Sequence, residues 1–236
     1  FKQLRRLKVD LLEAVHRQLV VHLGQPPTHF DWTFTTVSGM QHKYVRLTPH
    51  TFAFDIVPFR ADSLLYIQHD PRHDYWRLYT HKPPRANFMA GWRYAVLNAP
   101  MAYLEQLTVH SLLQGAPVWF AADVGADASV GAGRSNTLDK GLFEYERLLN
   151  VSLNLSKAQR LAYLQSYATH AMLFTGVDVD ENLEVRKLHV DNSWGDVAGS
   201  LAMSIDWFRE YVYYVVVDKA LLHPDVLAIF QQTEPV

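Results

Sequence analysis

Three strand-forming runs in the last third of the chain constrain its fold more than any other feature. Residues 170–179 and 185–194 are apolar or alternating, and residues 211–218 read Tyr-Val-Tyr-Tyr-Val-Val-Val-Asp. β-Branched and aromatic side chains at this density suit a pleated surface and crowd a helix. Residues 178–182, with two Asp and one Asn, predict the turn between the first two runs. The three runs are therefore expected to be neighbouring antiparallel strands. Residues 117–124 (Pro-Val-Trp-Phe-Ala-Ala-Asp-Val) predict another buried strand.

The first half reads differently. Leu4, Leu7, Leu11, Leu12, Val15, Leu19 and Leu23 recur at helical spacing, and Gly24 with Pro26 and Pro27 ends that helix. Residues 30–36 alternate as a strand would, and Thr48-Pro49 predicts a helix start. Residues 62–98 read as loops and short strands, with one strand at 64–68. Residues 100–114, 138–149 and 156–167 read as helices, the last capped by Ser156, and 125–136 as a loop. Helices first and strands later imply an α+β fold. The expected division is a mainly helical segment with an irregular insert at 1–115 and an antiparallel sheet domain at 116–236.

Composition removes several function classes. Hydrophobic residues make up 49% of 236 and charged residues 19%, as in a globular domain with a sizeable core. Lys and Arg number 22 against 24 acids, so nucleic-acid binding, which needs an excess of cations, finds no support. There is no cysteine, hence no disulfide, thiol nucleophile or Cys-ligated zinc from this chain. No run approaches the 18 or so apolar residues of a membrane span. A chain beginning at Phe1 is expected to be part of something longer, with any targeting segment outside it.

Most motif-like clusters carry no chemistry. Asp178, Asp180 and Asn182 open like a calcium loop, but Leu183 and His189 stand where Gly and Glu are required. His69 and His73 bracket Pro71, which breaks the helix a metal pair at that spacing would need. Gly131 and Gly133 lack the third glycine of a dinucleotide loop. No metal and no cofactor is expected.

His170 and Asn192 are different. A hairpin of this length can place them side by side. A carboxamide oxygen that accepts from one imidazole N–H fixes the tautomer and leaves the other nitrogen for a nucleophile. Trp194 could cover the pair. On the residues alone, a satisfied core histidine and an ordinary turn asparagine remain the commoner reading.

Longer stretches carry a resemblance. Thr169-His170-Ala171-Met172 with Phe174-Thr175, then Asp191-Asn192-Ser193-Trp194-Gly195, then Trp207-Phe208 and Glu210-Tyr211-Val212-Tyr213, form an ordered set. So do Gly24-Gln25-Pro26-Pro27, Asp70-Pro71-Arg72 and Val118-Trp119-Phe120 with Asp123-Val124-Gly125. Together they resemble the C-terminal half of papain-like cysteine peptidases of the bleomycin hydrolase and aminopeptidase C family. The resemblance implies part of a helical elaboration followed by a barrel-like sheet domain. It implies His170 as general base and acid, Asn192 as its orienter and Trp194 as a shield, with a peptide as substrate. The nucleophilic Cys and an oxyanion-hole Gln would come from an N-terminal half or a partner chain. A homo-oligomer or larger assembly and a cytoplasmic location are implied too, with an organellar one left open.

The chain also departs from that family. Asp191 replaces the usual Glu, the loop at 196–201 is shortened, and the family's C-terminal arm is not seen after Val236. Two function classes follow. One is the His- and Asn-bearing part of an active peptidase, inactive alone. The other is a catalytically inactive structural subunit of a larger assembly.

Overall fold

Between Leu64 and Asp218 the described residues lay down ten strands of one mixed sheet. The computed structural model describes residues 1–36, 38–57, 60–81, 94–182, 184–232 and 235. The chain divides into two compact units, Phe1–Ala61 and Asp62–Val236.

In the first unit, α1 (Lys2–Leu23) follows the apolar spacing, yet none of its residues is buried. The stripe from Leu4 to Leu23 stays more than half exposed. Strands β1 (Phe30–Thr35) and β2 (Gln41–Leu47) form an antiparallel hairpin in which Trp32 faces Tyr44 and Phe34 faces His42. Alternation puts these rings on one face, where Trp32 stacks on Phe34 at 4.6 Å between centroids. Helix α2 (Pro49–Thr51) begins at Thr48 with a full capping box.

The second unit holds β3 (Leu64–Gln68), β4 (Arg77–His81) and β5 (Tyr94–Asn98), then α3 (Met101–Leu113) and β6 (Val118–Ala122). After β7 (Ala128–Ser129) and β8 (Thr137–Leu138) come α4 (Tyr145–Leu149) and α5 (Lys157–Ala162). Strands β9 (His170–Val179) and β10 (Val185–Asp191) form the long hairpin. There follow α6 (Gly195–Ala198), β11 (Ser200–Ser204), α7 (Ile205–Tyr211), β12 (Val212–Asp218) and α8 (Pro224–Gln232). The sheet order is β4-β5-β3-β12-β6-β9-β10-β11-β8-β7. Pairing is antiparallel except for β3 with β5 and β8 with β11, so the sheet as a whole is mixed, while β12, β6, β9, β10 and β11 run antiparallel to their neighbours in this set as expected.

The boundary between the two compact units falls between Ala61 and Asp62, and β3, β4 and β5 pair into the same sheet as the later strands. Several expectations are corrected. The part of the 62–98 reading that covers 82–93 lies outside the described residues. The apolar run at 211–218 does not neighbour β10. It begins with Tyr211 in α7, and β12 lies between β3 and β6. Such a central strand is buried on both faces, which is why it reads as a nearly continuous apolar run. The helices expected at 138–149 and 156–167 are shorter. The first is confined to Tyr145–Leu149 because Leu138 pairs in β8 and a turn follows at 139–142, and the second ends at Ala162, with Leu164 at positive φ taking the chain out of helical geometry.

The core lies between the sheet and α3 and α7, with Trp207, Phe120, Phe174 and Phe208 fully buried. Phe120 of β6 stacks on Phe174 of β9 at 3.7 Å and 10°. Burying each such ring contributes roughly 2–3 kcal/mol, which locks β6 to β9.

Candidate active site

His170 is the first residue of β9 and stands opposite Ala122 of β6. The preceding Thr169 N–H donates to the Ala122 carbonyl at 2.9 Å, so the backbone is held before the histidine is reached. Alternation along β9 sends Met172 and Phe174 into the core. His170 ends that inward row, half-buried where the core meets the surface.

Asn192 follows the last residue of β10, so it starts the turn and does not belong to the strand as read from sequence. Its N–H donates to the Gly199 carbonyl at 2.8 Å, and its Nδ2 donates to the Ala198 carbonyl at 3.1 Å. Its Oδ1 accepts from the Ser193 N–H at 2.8 Å and lies 2.8 Å from His170 Nε2. An amide oxygen only accepts, so Nε2 carries the proton and Nδ1 presents its lone pair. Among the described residues Nδ1 makes no hydrogen bond. Trp194 stacks on the imidazole at 4.7 Å and 24° and is itself 47% exposed. It shields one ring face while remaining at the surface.

A buried polar network supports the end of β6 next to Ala122. Ser166 Oγ donates to Asp123 Oδ2 at 2.7 Å and lies 2.6 Å from the Tyr213 hydroxyl. Burial pushes the Tyr213 hydroxyl up. Lys157 Nζ donates to the Arg209 and Val212 carbonyls at 3.0 and 2.7 Å and sits 4.7 Å over the Tyr213 ring. Burial pushes its ammonium down to about 7. A cavity of about 380 Å³, lined among others by Tyr66, Trp119, Tyr167, Ala168 and Tyr214, reaches within two residues of His170.

The structure thus brings His170, Asn192 and Trp194 together. The clusters set aside in the sequence have other occupations. Asp180 Oδ1 accepts from the Asn182 and Glu184 N–H groups at 2.8 and 3.0 Å, which closes the hairpin turn. His69 Nδ1 bonds the Ala99 carbonyl at 3.0 Å, and His73 Nε2 lies 3.8 Å from Asp70. Among the described residues no three His, Asp or Glu side chains converge as metal ligands. None of the described helices is long and apolar enough to cross a membrane. Sequence reasoning missed the Ala198 and Gly199 carbonyls that hold Asn192. The available signal was Gly199 itself: a Cβ there would meet the Gly195 carbonyl oxygen at 2.6 Å.

The Peptidase C1-like family matches residues 2–236. Aminopeptidase G of Lactobacillus delbrueckii subsp. lactis is 36% identical over 233 residues, spanning 98% of this chain and 52% of its own length. Bleomycin hydrolase of Mus musculus is 36% identical over 236 residues, spanning 96% of this chain and 51% of its own. The crystal structure of PepW from Lactobacillus rhamnosis HN001 (DR20) superposes with a TM-score of 0.83 at 31% identity, over 98% of this chain and 52% of that one. The chain spans about half the length of the curated relatives it matches, and the match falls on their C-terminal half. With its α+β architecture, the chain belongs to the Peptidase C1-like family, in the branch of the bleomycin hydrolases and aminopeptidases C.

Proposed function

We propose that this chain supplies the proton-transfer half of a cysteine peptidase active site, with the nucleophilic Cys and an oxyanion-hole Gln on a separate N-terminal stretch or partner chain. The observation that carries this reading is the 2.8 Å contact between His170 Nε2 and Asn192 Oδ1 under the Trp194 ring. It leaves Nδ1 as the one imidazole nitrogen free to exchange a proton.

The chemistry is as follows. Nδ1 takes the proton of the thiol, giving a thiolate–imidazolium pair. The thiolate sulfur attacks the amide carbonyl carbon of a peptide. The imidazolium returns its proton to the leaving amine as the C–N bond breaks, and a thioester remains. Nδ1 then takes a proton from water, whose oxygen attacks the thioester. The acid leaves and the thiol recovers its proton. Asn192 keeps Nε2 protonated throughout, so the ring always offers the same nitrogen. The names of the relatives support an amino-terminal mode of attack on the peptide.

The test is release of a fluorogenic amino-acid amide. The purified chain alone is expected to give no turnover. Together with a stretch bearing the Cys and Gln, it is expected to give iodoacetamide-sensitive turnover that His170→Ala abolishes. Turnover by the chain alone would contradict the reading. An assembled complex whose thiol alkylates normally but never turns over would favour a structural subunit instead.

A further inference from the structure

The carboxamide of Asn192 orients His170 only if its oxygen, and not its nitrogen, faces the ring. Flipped by 180°, the group would turn Nδ2 toward His170 Nε2–H and toward the Ser193 N–H, and would set Oδ1 against the Ala198 carbonyl. The present orientation therefore depends both on the Ser193 N–H and on where the Ala198 carbonyl stands. That carbonyl belongs to α6, a single turn of four residues at the surface. Helices this short have no stability of their own, because nucleation costs more than one turn returns. Something outside α6 must hold it.

One side chain outside the turn does so. Asn136 Nδ2 donates to the Val197 carbonyl at 2.8 Å, across 61 positions of sequence. Asn136 is anchored on its other sides. Its Oδ1 accepts from the Gly131 N–H at 3.1 Å, and its backbone carbonyl accepts from the Ala202 N–H at 3.0 Å. It sits at φ 54, a left-handed conformation that Asn tolerates better than most residues. The Ala202 bond ties it to β11, directly after α6. Gly199 completes the arrangement, since no side chain fits 2.6 Å from the Gly195 carbonyl oxygen.

We propose that Asn136 is a positioning residue for the His170–Asn192 pair: it pins α6 through the Val197 carbonyl, and so keeps the Ala198 carbonyl where it holds the Asn192 amide with its oxygen toward Nε2. This rests on the reading of His170 and Asn192 given above, and acts through them without touching a substrate.

The experiment is long-range 15N–1H correlation of the histidine rings in the 15N-labelled chain, with His170 assigned by its loss in His170→Gln. The native chain is expected to show His170 as the Nε2–H tautomer. Asn136→Asp keeps an oxygen for the Gly131 N–H and a residue suited to φ 54, but removes the donor to Val197. It is expected to mix the tautomers and to speed solvent exchange of the Nε2 proton about three- to tenfold, the range one lost hydrogen bond spans. Asn136→Gly, which relieves the backbone and removes the side chain, gives the same result and serves where the Asp variant fails to fold. Ser135→Ala, next door, changes nothing. The proposal is overturned if both Asn136 variants keep the native His170 spectrum while Asn192→Ala loses it, and the His170–Asn192 reading then stands. If Asn192→Ala also keeps it, both fall.

Discussion

His170 and His189 lie on the same hairpin and make similarly short side-chain hydrogen bonds, yet only His170 leaves a ring nitrogen uncommitted among the described residues. His189 projects from β10 opposite Gly176, with Nδ1 2.7 Å from Thr175 Oγ1 and Nε2 2.7 Å from Ser200 Oγ. Asp191 is 3.7 Å away, so the group imitates a Ser–His–Asp arrangement. Both ring nitrogens are occupied, however, and the side chain is about half exposed, with no aromatic ring stacked on it among the described residues. His170 has one nitrogen committed to a pure acceptor, the other uncommitted among the described residues, and a Trp over its face. A short hydrogen bond to a histidine therefore says little. What matters is which nitrogen is left over and what fixes that choice.

The sharpest way to break this comparison is to remove each imidazole. In the enzyme assembled with its thiol, His170→Ala is expected to lower kcat about 10⁴- to 10⁶-fold, as loss of the general base does in a Ser–His–Asp triad. A loss under tenfold would make the two histidines equivalent. Asn192→Ala should cost less, about 10²- to 10⁴-fold in kcat with little change in KM, because the base survives in an unfixed tautomer. An unchanged kcat would remove the orienter from the account.

A third histidine sharpens the contrast in another direction. Burial first, and Lys157 second, push His69 from 6.5 down to about 4. The folded state thus holds it neutral while the unfolded chain protonates it near 6.5. Its contribution to stability is full above about 6.5 and is lost as pH falls through about 4. After allowance for screening by water, the loss amounts to about 1–2 kcal/mol. Urea midpoints of the native chain and of His69→Gln at pH 7 and pH 4 should diverge by that amount. Parallel curves would contradict it. The smallest effect is expected at His189. His189→Ala should change stability by no more than about 0.5 kcal/mol and leave kcat within about twofold, because the residue is exposed and its partners can turn to water. A large loss of activity there would mean that the wrong histidine has been assigned.

Local pattern and long-range placement were not equally legible. The α1 helix, the β9–β10 turn and the capped starts at Thr48 and Ser156 follow from spacing and side-chain chemistry within a few residues. The sheet order did not. Nothing local tells β12 to lie between β3 and β6, since a strand buried on both faces looks the same beside any partner. For the same reason β3, β4 and β5 read as an irregular insert although they extend the sheet. The periodicity of α1 foretold a helix but not a buried one, and its apolar stripe stays exposed. At the candidate site, His170, Asn192 and Trp194 were legible because they meet through their side chains. The carbonyls of Ala198 and Gly199 are backbone atoms, the same in every residue, and Asn136 reaches the Val197 carbonyl beside them from a distant loop.

The most direct measurement is the protonation site of the His170 ring in the native chain at neutral pH, read from its two ring 15N shifts. The account predicts one bare nitrogen at Nδ1 and one hydrogen-bearing nitrogen at Nε2, with the Nε2 proton slow to exchange. A ring protonated at Nδ1, or an even mixture of the two forms, would contradict it.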